Sequence, residues 1–243
     1  MASSSFDSFF SYYRSFYTNA FLTQSFEISS VIPSEFFVHE RELKIINTRI
    51  KIIENIVQEA YLKMTVNSEG RVNKLIIKYK WGIEIPSMYQ KEKIAEIVLP
   101  HMFLFDQRDS TDGILHSLYE TELRRIDEKT PALLKKYLHF FHDLINDVIY
   151  SEILKFMIYH EVAHIALDHS NKLSLAFFNE CEEAEKEADA LAVSHLNTKI
   201  GAISCLEKLR HFFDIKELRK FFSLKPTYPD FDGRLSNIQN MKL

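Results

Sequence analysis

The stretch from Tyr150 to Leu167, YSEILKFMIYHEVAHIAL, constrains this chain more than any other. Read as a helix over 151–169, it is apolar nearly all round, with Ile153, Leu154, Phe156, Met157, Ile158, Val162, Ala163, Ile165, Ala166 and Leu167 on every side. A helix without a polar face must be central, so the remaining elements have to wrap it. Yet the same helix carries His160, Glu161 and His164 within "HEVAHIALDH". Positions i and i+4 share a helix face, which sets the two imidazoles side by side and turns Glu161 to their flank. An unpaired buried carboxylate costs several kcal/mol, so Glu161 is expected to have a dedicated partner.

Two neutral imidazoles on one helix face bind Zn²⁺ and leave the adjacent glutamate free to act on water, the HExxH arrangement. Chance supplies about 0.04 such matches in a chain of this composition, so the motif needs support from elsewhere in the sequence. The segment "NECEEAEKEADALAVSHL" provides it as a second helix, predicted over 180–197, with a buried face of Ala184, Ala188, Leu191, Ala192 and His195 flanked by Glu185 and Asp189. A catalytic zinc takes three protein ligands, and Glu185 suits the third place, with Glu182 one turn earlier as the fallback. Asp189 would then orient a ligand imidazole by hydrogen bonding. His169 lies five residues beyond His164 with no glycine between them, so it is read as a helix C-terminal or packing residue rather than a ligand. Of the other histidines only His195 and His211 are retained as cleft-lining candidates.

With 46% hydrophobic and 26% charged residues in 243, the chain can bury a substantial core. Its net charge of -4 and scattered basic residues argue against nucleic acid and for a protein or peptide partner. The start of the chain lacks the form of a secretory signal, and no apolar run reaches membrane-spanning length, which reads as a soluble cytoplasmic protein. Cys181 and Cys205 are too few for a disulfide framework and read as small buried hydrophobes.

The expected fold class is α+β, mostly α, with a zincin-like core and a small antiparallel sheet. Residues 1–40 read as an aromatic, Ser-rich arm or amphipathic helix that docks on the core or meets a partner. Residues 41–243 read as one domain, with a helix and hairpin lobe over 41–143 and the HExxH core over 144–243. Within the lobe, a helix over 42–62 precedes a hairpin about Asn67–Gly70, with Leu75, Ile77, Tyr79 and Trp81 alternating inward. Further helices are expected over 90–98, 113–127, from Pro131 to about 149, over 200–211 and 214–222, and after Pro229.

"HEVAHIALDH", "EKEAD" and "PTYPDFDGR" together resemble the gluzincin metallopeptidases of the HtpX and CAAX prenyl protease type. That resemblance covers mainly residues 151–234, with Tyr228 standing where that family has histidine. It implies zinc-dependent peptide-bond hydrolysis with Glu161 as general base, and it makes Tyr228 and Arg234 candidates for stabilising the oxyanion or clamping substrate. In size and in lacking a leader the chain is also similar to the Lit-type phage-exclusion peptidases, and more distantly to the ImmA/IrrE-type peptidases. The competing readings are a non-catalytic, zinc-stabilised scaffold that binds protein, and a helical protein in which HExxH is coincidental.

Overall fold

A computed structural model describes residues 27–31, 40–66, 72–80, 86–104, 132–170, 179–214 and 230–243. The aromatic stripe of residues 6–21, Trp81, the helix expected over 113–127, nearly all of that over 214–222, and Tyr228 lie outside the described residues. In chain order the elements are β1 (Glu27–Val31), α1 (Glu40–Thr65), β2 (Lys74–Lys80), β3 (Ser87–Lys91), β4 (Ile94–Pro100), a 3-10 turn (His101–Leu104), α2 (Ala132–Ile145), α3 (Tyr150–Ala166), α4 (Asn179–Leu196), α5 (Ile200–Phe213) and α6 (Phe231–Asn240). The fold is α+β and mostly helical, as expected. Among the described residues no helix is long and apolar enough to cross a membrane.

The sheet has the order β1-β2-β4-β3 and is mixed rather than antiparallel: β1 and β4 run parallel to β2, and β3 alone is antiparallel to β4. β1, inside the segment assigned to the arm, thus completes one edge of the core sheet. The hairpin expected about Asn67–Gly70 is absent, because Tyr61–Thr65 continues α1. Its buried residues Ile46, Ile50, Ile53, Val57, Ala60, Tyr61 and Met64 keep helical spacing to the end, and that packing outweighs the strand preference of the last turn. Tyr61 then ties helix to sheet, its hydroxyl donating to Val72 O at 2.8 Å and accepting from Val72 N at 2.9 Å. The true hairpin joins β3 and β4 where a helix over 90–98 was expected. Its two-residue turn places Glu92 at φ 55, a region usually marked by glycine or asparagine, so the sequence carries no turn signal there.

The alternation in β2 holds, with Leu75, Ile77 and Tyr79 buried. α3 is the central helix: α1, α4, α5 and β3 all pack against it, and every residue from Phe156 to Ala166 is buried. The crossing of α3 and α5 depends on Gly201, where a Cβ would stand 2.2 Å from the backbone oxygen of Glu152. Gly201→Ala must therefore push α5 off the first turn of α3, at an expected cost of about 1–3 kcal/mol. Urea unfolding of the metal-free protein reads this as a lower midpoint at unchanged slope.

Candidate metal centre and cleft

The HExxH face of α3 and the acidic face of α4 meet across a cleft of about 320 Å³, closed at one side by Ser87 and Met88 of β3 and lined on the other by Leu206 and Phe213 of α5. His160, His164 and Glu185 form a group that could hold a metal ion, each offering one ligand atom, all within 4.8 Å of one another. The two Nε2 atoms lie 3.1 Å apart, and Glu185 places Oε2 at 3.3 Å from His160 Nε2 and Oε1 at 3.5 Å from His164 Nε2. Glu182, the fallback, lies outside this group. Glu161 is buried at the flank and is among the residues that line the cleft.

Behind the donors, Asp189 Oδ1 lies 2.9 Å from His160 Nδ1. At this distance the carboxylate faces the ring nitrogen as an ion-pair partner. Arg234, brought in by α6, holds both acids: Nε and Nη2 donate to Asp189 Oδ2 and Oδ1 at 2.7 and 2.8 Å, and Nη1 lies 2.7 Å from Glu185 Oε2. α6 is started by Asp230, whose side chain accepts from Gly233 N at 3.0 Å.

These contacts set the charges. Burial alone would raise the Glu185 carboxyl, but Arg234 and then the two imidazoles hold it well below the usual range. The same competition, again won by Arg234, lowers Asp189. Burial opposes a charged His160, yet Asp189 and Glu185 outweigh it and push the ring up to about 10. For Glu161 burial wins and pushes its carboxyl up, against the pull of His160 and His164. Cys205 lines the cleft with its thiol pushed up to about 12 by burial, which leaves it inert.

His169, a packing residue at the end of α3 as expected, makes a contact that its spacing did not disclose. It is buried, with Nδ1 2.7 Å from His164 Nδ1 and Nε2 3.1 Å from Glu187 Oε2. Asp168 at φ 56 turns the chain back at the end of α3, and with no glycine there nothing in the sequence announced the reversal. His195 lies elsewhere, in a smaller pocket with Tyr159 and Lys63, and His211 is exposed.

One helix contributes two imidazoles and a glutamate, and a second that crosses it contributes a carboxylate, a donor group that could hold a metal ion. Residues 138–242, which contain this whole group, match the family described as Peptidase U49. The match supports a peptidase family and proteolysis as the class of activity. No curated protein and no solved structure matches the chain.

Proposed function

We propose that the chain is a zinc-dependent endopeptidase, with His160, His164 and Glu185 as metal ligands and Glu161 as general base. The observation that carries the reading is the convergence of three donors beside a buried glutamate in a cleft. A tetrahedral zinc with bonds of about 2.0–2.2 Å would space its ligands by about 3.3–3.6 Å; the separations of 3.3 and 3.5 Å fall in that range and the third, 3.1 Å, just short of it. The N,N,O donor set is also one that catalytic zinc sites use.

Bound there, zinc supplies Lewis-acid polarisation of water and of the peptide carbonyl. Glu161 accepts the proton of the attacking water on its carboxylate and delivers it to the leaving amine. Its raised affinity for protons, a consequence of burial, suits it to that exchange near neutral pH. Asp189 and Arg234 keep the ligands oriented and Glu185 ionised. Tyr228 remains the proposed donor to the tetrahedral oxyanion.

The substrate is a protein or peptide in extended form. β3 is an edge strand beside the cleft, so a segment can pair along it while Phe156, Met157, Leu206 and Phe213 receive an apolar side chain. A setting in phage exclusion or regulation rests on the Lit-type resemblance alone.

Metal analysis tests the reading. Protein purified without added metal is expected to carry one zinc per chain, with His160→Ala and Glu185→Ala losing it. A wild-type chain that neither carries nor takes up zinc would end the peptidase reading.

A further inference from the structure

The site has two supports of different origin. His160 is backed from α4 by Asp189, whereas His164 is backed by His169, which follows it in the chain and returns to it through the left-handed residue Asp168. His169 is 3% exposed, and its ring meets that of His164 edge-on with centroids 4.9 Å apart. A consistent placement of protons along this line follows from the chemistry at either end. A His164 that offers Nε2 to a metal must carry its proton on Nδ1. That N–H donates to His169 Nδ1, which then accepts, leaving His169 Nε2–H to donate to Glu187. The carboxylate of Glu187 terminates this arrangement.

From this we infer that His169, backed by Glu187, is a positioning residue that fixes the tautomer and ring orientation of His164 for metal binding. The inference rests on the proposed metal site and assigns the residues that prepare it. The turn bearing His169 is in turn fastened to β3, since Gln90 Nε2 donates to Asp168 Oδ1 at 3.3 Å and Ser170 Oγ lies 3.6 Å from Met88 Sδ. A ligand histidine is thereby linked through one short turn to the strand that borders the cleft. Glu187 is 62% exposed at its side chain, so it contributes less than the buried ring it backs.

The test compares zinc affinity, by competition with a chromophoric chelator, in wild type, His169→Phe, His169→Gln and Glu187→Ala. Phenylalanine keeps the ring volume and removes the acceptor; glutamine keeps a carbonyl that can accept from His164 Nδ1. Expected is a loss of about 10- to 100-fold in His169→Phe, the range found for groups that orient metal-binding histidines, with His169→Gln restored to within a few-fold of wild type. Long-range proton–nitrogen NMR of the zinc form should show the His164 proton on Nδ1 in wild type and His169→Gln. Unchanged affinity in His169→Phe, or a loss in His169→Gln as deep as in His169→Phe, would overturn the positioning role, the latter by showing that only ring packing matters. Should His169→Phe fail to fold, Glu187→Ala decides, with a few-fold loss expected and no loss counting against the role. A wild type that binds no zinc removes the metal site itself, an outcome distinct from equal affinity across all variants.

Discussion

Glu161→Gln is expected to retain zinc and lose peptide hydrolysis by about 10²- to 10⁴-fold, the range carried by a positioned general base. The amide has the shape of the carboxylate and none of its basicity, and Glu161 is outside the donor group, so metal content should not change. Stability should move the other way. Burial raises the Glu161 carboxyl, so its ionised form is a cost to the folded state. A group that gains protons more readily when folded destabilises the fold above its unfolded value, near 4, and the penalty is relieved as pH falls. The glutamine variant should therefore be the more stable protein at neutral pH, and the gap should close in acid. Greater stability with lost activity is what a site held under electrostatic strain gives when the strain is removed. Peptide hydrolysis surviving at the wild-type rate would remove Glu161 from the mechanism whatever the metal does.

How much of this was readable in advance depends on the range over which each signal acts. His160, Glu161 and His164 follow from helical spacing alone, and an apolar helix around them forces that helix to the centre, where the structure has it. Glu185 and Asp189 were readable because they too sit on one helix at a fixed spacing, with only the choice between Glu185 and Glu182 needing the folded chain. The hairpin of β3 and β4 was not readable, since its turn is made by Glu92 in a conformation its sequence does not advertise. Nor could spacing reveal that the lysine-rich run from Lys74 would find two parallel neighbours, because parallel pairing is set by the α1 crossover and the buried residues of both layers. His169 is a packing residue at the helix end, as its spacing implied, but its contact with His164 was not readable, for a related reason. Its partner is close in sequence, but the approach depends on a single left-handed residue at the helix end.

Arg234→Met is expected to destabilise the metal-free protein by about 3–5 kcal/mol, the cost of leaving a buried charge without its partner. Asp189 is 0% exposed and takes two hydrogen bonds from this guanidinium, while Glu185 takes the third nitrogen. Methionine fills the volume of the stem and returns none of the charge. Since a domain of this size holds about 5–15 kcal/mol in all, the loss would consume much of the total. Zinc should recover only part of it, because a metal at the histidines can neutralise Glu185 but leaves Asp189 facing His160 alone. Arg234→Lys should fall between, as a single ammonium cannot reach both carboxylates in the forked geometry. The pH dependence separates this account from simple loss of packing. In wild type the depressed Asp189 and Glu185 contribute stability above their unfolded values, near 4, and lose it as pH falls through the depressed folded ones. Without Arg234 only the imidazoles offset burial, so both folded acids take up protons more easily than in wild type, and the deficit of the variant should shrink as pH is lowered from 7 towards 4. Urea unfolding of the two metal-free proteins across that range measures it directly. A deficit that stays constant with pH would mean that Arg234 matters for its bulk, and that the acids beside the metal are held by something else.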